Sequence, residues 1–168
     1  MADAFHQMRS RLYGLTEHEF FWEPAPGAWT VFRGADGRWE HHYAEPDPQP
    51  SPITTIGWRL THIAMCKVMY HEHAFGPGIL TWLTLETPGT VRDATDMLDT
   101  GHALLTEDLA ALDDAEMERS VRTNWGEEWP AWRIFWTMVH HDAHHGGEIG
   151  ALRDLYRVTS GGPDPAPG

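Results

Sequence analysis

The stretch Val139-His140-His141-Asp142-Ala143-His144-His145-Gly146-Gly147-Glu148 lies in the segment that decides the fold, a long run with apolar residues at helical spacing. On a helix that advances about 100° per residue, one face of this run carries large apolar side chains and two histidines. The residues on that face are Ile134, Met138, His141, His145, Ile149, Leu152 and Tyr156. The acids and proline of Glu127-Glu128-Trp129-Pro130 favour a helix start. We therefore predict a fourth helix from about Glu127 to about Val158, with one side buried.

Three more helices are predicted upstream, at about residues 3–19, 54–73 and 90–112, the last with Thr90 as its N-cap. Residues 20–52 are rich in Trp, Pro and Gly and predict an irregular crossover that packs back on the body. No alternating strand pattern is evident, and the polar residues 113–119 predict a short helical turn. The sequence thus predicts an all-α four-helix bundle with a long irregular crossover between helices 1 and 2. We expect a single domain over residues 1–160 and a flexible tail over residues 161–168.

The composition excludes several classes of protein. The chain has 168 residues and a net charge of −13, which disfavours binding to nucleic acid and to anionic membranes. No apolar run is long enough for a transmembrane helix, and the first residues lack a signal pattern, so we expect a cytoplasmic protein that acts on a small molecule. The single cysteine, Cys66, excludes an intrachain disulfide and is expected to be a small buried hydrophobic residue.

Four histidines within six positions are the main chemical feature of the chain. Both His141/His145 and His140/His144 have the spacing of four at which a helix presents two imidazoles to one metal ion. His141 and His145 lie on the apolar face of the fourth predicted helix and are therefore the core-facing pair. His62, on the apolar stripe of the second predicted helix, is the candidate third ligand. His71 and His73, near the end of that helix, are its rivals and are expected at the rim.

A three-histidine site suits zinc, nickel, iron or copper and leaves a position open for substrate. We favour zinc, with nickel or iron as alternatives. A site closed by four protein ligands is not expected of this chain. The opposing interpretation is a set of core histidines that hydrogen-bond to carbonyls or carboxylates.

Other residues near the histidines have open roles. Glu148 is a candidate catalytic base, a carboxylate that supports a ligand, or a partly exposed helix residue. Asp142, to the side of the pair, is expected to be solvated. Gly146 and Gly147 each destabilise a helix by about 1 kcal/mol relative to alanine, which suggests close approach by another helix or a ligand, or a kink.

Two stretches resemble the DinB-like superfamily and its YfiT-like metal-dependent group. They are Trp58-Arg-Leu-Thr-His62-Ile-Ala and His141-Asp-Ala-His144-His145-Gly146-Gly147-Glu148, and the segment from Trp22 to Trp29 is similar to the Trp- and Pro-rich lead-in of actinobacterial members. The resemblance implies a DinB-type bundle and His62, His141 and His145 as metal ligands. Gly146 stands where the family usually has Arg, and Glu148 where it has Gln.

The resemblance also implies a chemistry. Members with assigned activity use a divalent metal to activate a low-molecular-weight thiol, as in mycothiol and bacillithiol S-transferases and the mycothiol-dependent maleylpyruvate isomerase. Our leading hypothesis is a metal-dependent transferase or isomerase of this type. The alternatives are a small metal-dependent hydrolase, which needs no thiol, and a non-catalytic stress-response or binding module that keeps the site. Dimerisation is common in such folds, and a homodimer is a further expectation.

Overall fold

A computed structural model of the protein describes residues 1–46 and 48–160 and is mostly helical. The tail predicted for residues 161–168 lies outside the described residues. Within the described part of the chain, no helix is both long and apolar enough to cross a bilayer. The helices, in chain order, are α1 (Ala2–Ser10), α2 (Glu17–Phe21), α3 (Ile56–Ala74), α4 (Val91–Ala111) and α5 (Ala131–Ser160), with a short 3-10 helix at Glu116–Glu118.

The prediction of one continuous helix over residues 3–19 is wrong, because α1 ends at Ser10 and α2 begins at Glu17. Gly14 has a φ of +66° between the two helices, a conformation that glycine adopts without strain. Thr16 then starts α2 through a capping box, since its hydroxyl accepts from the Glu19 amide while the Glu19 carboxylate accepts from the Thr16 amide. Local capping therefore overrides the apolar spacing that suggested one long helix.

The next two helices lie where the sequence places them. α3 follows Thr55, whose hydroxyl accepts a hydrogen bond from the Trp58 amide at 3.1 Å. Thr90 is the N-cap of α4, as predicted, and accepts from the Asp93 amide at 3.0 Å. Each cap satisfies an amide that would otherwise have no partner at the helix start.

The fourth predicted helix begins later than expected, at Ala131 instead of Glu127. The acids and proline at 127–130 belong to a β-hairpin in which β3 (Ser120–Arg122) pairs antiparallel with β4 (Glu128–Pro130). The Thr123 amide donates to the Glu127 carbonyl at 2.8 Å, and Gly126 turns the chain with a φ of +90°. The prediction that the chain has no strands is therefore wrong. The predicted short helical turn after α4 is confirmed at Glu116–Glu118.

A second hairpin lies in the crossover, where β1 (Val31–Arg33) pairs antiparallel with β2 (Trp39–His41). Its turn contains Asp36-Gly37, and Gly37 has a φ of +81°, which is the turn chemistry of a tight hairpin. The crossover packs back on the body as predicted: Trp29 pairs with Thr54 through the backbone, and Trp39 stacks on Phe21. Three-residue strands are too short for an alternating pattern to reveal them.

The helices pack so that α3 lies against both α4 and α5, while α1 lies against α5. The core includes Met8 from α1, Leu60 and Ile63 from α3, Leu98 from α4 and Ile149 from α5, all fully buried. α3 and α5 therefore face each other across the interior and can bring side chains from distant parts of the sequence together.

Gly146 lies where α1 crosses α5 most closely. A Cβ at this position would lie 2.9 Å from Met8 Cγ and 3.1 Å from Met8 Cα, whereas a Cβ at Gly147 would meet open space. The close approach predicted for this pair is thus found at Gly146.

We expect Gly146→Ala to lower the free energy of unfolding by about 1–3 kcal/mol, because the added methyl group must push α1 away. Gly147→Ala is the matched control and should raise stability by about 0.5–1 kcal/mol through helix propensity alone. Urea denaturation of both variants measures the difference. Equal effects of the two changes would contradict the packing role of Gly146.

Candidate metal centre

Three imidazole rings from two helices form a triangle in the interior. His62 comes from α3, and His141 and His145 lie one turn apart on α5. The ring centroids are 5.7 Å apart for His62 and His141, 5.1 Å for His62 and His145, and 5.4 Å for His141 and His145. His145 is buried and His141 is partly buried, whereas His140 and His144 are exposed, as the face analysis predicts.

Burial keeps all three rings neutral. Burial is the main cause, and neighbouring histidine, arginine or lysine side chains add to it, so that the pKa is lowered to about 3 for His62, about 3 for His145 and about 4 for His141. A neutral imidazole has a free lone pair on one ring nitrogen, which is the form that binds a metal ion.

Glu148 fixes which nitrogen of His145 is free. Its Oε2 lies 2.6 Å from His145 Nδ1, and because an ionised carboxylate only accepts hydrogen bonds, Nδ1 carries the proton. The lone pair of His145 is then on Nε2. Arg59 Nη1 lies 3.1 Å from the same Glu148 oxygen and holds the carboxylate in place. Such a carboxylate–histidine pair is the usual support of a metal-bound histidine.

Trp58 supports the His62 ring by stacking. The indole stacks on the His62 ring with centroids 5.0 Å apart and an angle of 7° between the planes. Its Nε1 donates to the His42 carbonyl at 2.8 Å, so the crossover segment anchors the tryptophan. His141 Nδ1, in contrast, is buried without a hydrogen-bond partner. A buried donor or acceptor without a partner is unfavourable, and a bound ion fits this position.

The family model of the DinB superfamily matches residues 2–149, nearly the whole described chain. The chain belongs to the DinB superfamily. The matched range includes His62, His141, His145 and Glu148. No curated protein matches the sequence.

In this DinB chain the structure adds Cys66 to the histidine cluster, a residue that the sequence analysis treated as a buried hydrophobic side chain. Cys66 is buried, and its Sγ lies 3.8 Å from His62 Nε2. Donor atoms of His62, Cys66 and His141 lie within 4.8 Å of one another, so this group could hold a metal ion. The signal was present in the sequence, since His62 and Cys66 have the same spacing of four as His141 and His145.

His144, His145 and Glu148 form a second group with donor atoms within 4.8 Å. In this group Glu148 already binds Arg59, and His145 Nδ1 already donates to Glu148. The carboxylate and this nitrogen are therefore occupied, and the His62 side of the cluster is the better place for an ion.

The two rival histidines have partners elsewhere. His71 Nδ1 lies 2.6 Å from Asp108 Oδ2 on α4, and His73 Nε2 lies 2.8 Å from the Leu80 carbonyl oxygen. Both sit near the end of α3, two to three turns from His62 along the helix, as expected of rim residues.

The expectation that Asp142 is solvated is wrong. Asp142 is 1 % exposed and Lys67 is fully buried, and Lys67 Nζ lies 2.9 Å from both carboxylate oxygens, with hydrogen-bond geometry to Oδ2. The ion pair joins α3 to α5 beside the histidine cluster. The fully buried lysine attracts the carboxylate into the interior, and no spacing rule along α5 could reveal that partner.

A cavity of about 760 Å³ lies between the crossover hairpin and the loop at residues 82–87. Trp39 and Trp82 give it apolar walls, and Arg38 and Glu40 are among its charged lining residues. His41 also lines the cavity, lies 3.2 Å from Thr87 Oγ1, and is close enough to His62 to contribute to lowering the pKa of His62.

Proposed function

We propose that this chain is a divalent-metal protein whose ion is held by His62, His141 and His145, and that it activates a low-molecular-weight thiol for an S-transfer or isomerisation reaction of the mycothiol type. The observation that carries the proposal is the triangle of three neutral imidazoles, 5.1–5.7 Å apart by ring centroids. The packing of α1 on α5 and of α3 on α4 and α5 supports a four-helix bundle of DinB type as its frame.

Each residue of the centre has a distinct task in this proposal. The three histidines supply nitrogen donors that suit zinc, which we favour, and also nickel or iron. Glu148 holds the proton on His145 Nδ1, and Arg59 keeps Glu148 in place. When bound, the ion would lower the pKa of a coordinated thiol or water. We assign Glu148 a positioning role, since it acts through His145.

The substrate is a small molecule in this proposal, and the net charge of −13 argues against nucleic acid as a partner. The cavity beside His41 is the proposed site of the electrophile, with Trp39 and Trp82 as apolar contacts. A small hydrolase uses the same residues with water in place of the thiol. Turnover that requires an added thiol supports the transferase, and turnover without one supports the hydrolase.

The first experiment is to measure metal content per chain by plasma mass spectrometry on untagged protein. We expect about one ion per chain for the wild type and loss of that ion in His145→Ala. His140→Ala is the matched control, since it removes an exposed histidine on the same helix that belongs to neither candidate metal group, and it should keep the ion.

Two outcomes contradict the proposal. An unchanged metal content in His145→Ala excludes His145 as a ligand. No metal in the wild type, even after reconstitution, makes the three histidines core residues and favours a non-catalytic binding module.

Glu148→Gln tests the positioning role. We expect it to weaken metal affinity by about 10–100-fold, as is typical when the partner of a ligating histidine is changed. Competition with a chromophoric chelator measures the affinity, and His140→Ala is again the control. If Glu148 is a base, the variant instead keeps its metal affinity and loses turnover.

A further inference from the structure

We propose that the Cys66 thiolate is a fourth protein ligand of the ion, so that the centre is a three-histidine, one-cysteine site. This inference rests on the proposed metal centre and goes beyond it, because three histidines alone leave the ion open. The residues that carry it are His62 and Cys66 on α3 and His141 on α5, whose donor atoms lie within 4.8 Å of one another, with His145 one turn further along α5.

The distances around the sulfur support coordination. Cys66 Sγ lies 3.8 Å from His62 Nε2 and 3.9 Å from His62 Nδ1. A tetrahedral zinc ion with ordinary bond lengths places a nitrogen and a sulfur ligand roughly 3.5 Å apart. The sulfur is almost equidistant from the two ring nitrogens, so the His62 ring must turn to direct one nitrogen at an ion that the sulfur also binds.

The helix geometry is an independent argument. Residues four apart on one helix present their side chains to the same point, and this holds for the pair on α3 and for the pair of histidines on α5. Because α3 packs against α5, the two pairs face each other across one helix–helix interface. His141, whose buried Nδ1 has no hydrogen-bond partner, belongs to the same group of donor residues as His62 and Cys66.

Packing alone does not account for the position of the sulfur. Cys66 belongs to a hydrophobic cluster with Tyr70, Leu105 and Phe135, where a thiol serves as a small apolar group. That role does not account for the donor group that Cys66 forms with His62 and His141. A centre closed by Cys66 is four-coordinate at rest, so the thiol of the proposed reaction would bind as a fifth ligand or replace the cysteine.

The experiment uses the full chain loaded with Co²⁺, in which a thiolate ligand gives a charge-transfer band in the near ultraviolet. We expect this band in the wild type and its loss in Cys66→Ser and Cys66→Ala, with about one cobalt per chain measured on the same samples. His140→Ala, which removes an exposed histidine outside both candidate metal groups, should keep the band.

The outcomes separate this inference from the proposed function. Cobalt bound by the wild type without the band overturns the role of Cys66 and leaves the three-histidine centre standing. No bound cobalt at all overturns the metal centre, and the cysteine ligand with it. The wild-type spectrum alone decides the matter if either cysteine variant fails to fold.

Discussion

Replacement of Lys67 by methionine is expected to lower the free energy of unfolding by about 3–5 kcal/mol near neutral pH. Lys67 and Asp142 are fully buried, and the lysine nitrogen lies 2.9 Å from both carboxylate oxygens. Methionine fills similar volume but leaves the carboxylate in the interior without a counter-ion. Burial already raises the pKa of Asp142, so the variant should take up a proton there and recover part of the loss at acidic pH.

The control for Lys67→Met is Arg9→Met. Arg9 and Asp99 also form an ion pair at 2.9 Å, but both side chains are more than a third exposed. Loss of an exposed pair should change stability by about 1 kcal/mol or less. Urea denaturation at one pH compares the variants, and equal losses would show that the buried charge is not the cause. The double variant Lys67→Met/Asp142→Asn, which removes both charges, should be more stable than Lys67→Met.

The metal-free protein is expected to lose stability steeply as the pH falls below about 6.5. His62, His141 and His145 have pKa values of about 3, 4 and 3 in the folded chain, against 6.5 when exposed. Between these limits the unfolded chain binds three more protons than the folded chain. Near pH 5 the free energy of unfolding should therefore change by about 4 kcal/mol per pH unit. Well above pH 6.5 these three histidines should not make it depend on pH.

Several charged or titratable groups near the three rings also affect the protonation of these histidines. These groups are His41, Arg59, Cys66, Lys67, His140, His144 and Glu148. Burial also lowers the pKa of His102 to about 4, which adds to the loss in the same direction. Denaturation of the metal-free protein, with a chelator present, at a series of pH values between 7.5 and 5 measures how the free energy of unfolding depends on pH. The double variant His140→Gln/His144→Gln, which changes two exposed rings, should keep this dependence. A flat profile would show that the three rings already carry protons in the fold or are exposed.

Much of the candidate centre could be predicted from the sequence because it depends on one helix. The spacing of four and the apolar face of α5 select His141 and His145 over His140 and His144, and their burial agrees with that choice. Thr90 could be identified as an N-cap for the same reason, since capping involves residues three positions apart. Glu148 beside His145 is also a local relation, at a spacing of three.

The hairpins and the break between α1 and α2 were missed although their signals are local. Asp36-Gly37 and Gly126 are turn residues, and Thr16 with Glu19 is a capping box. These short features compete with helical spacing over a few residues only. Apolar periodicity averages over longer windows and therefore hides them.

The sequence by itself determined the long helices, the face of α5 that is buried and the pair of histidines on it, because these follow from the period of one helix. The tertiary structure alone decided that His62 lies beside that pair and Cys66 beside His141, that Lys67 is the partner of Asp142, and that α1 crosses α5 at Gly146 against Met8. The residues of these contacts are far apart in the sequence. The smallest separation is the 75 positions between Lys67 and Asp142. Only the packing of α1 and α3 against α5 sets the distances between them.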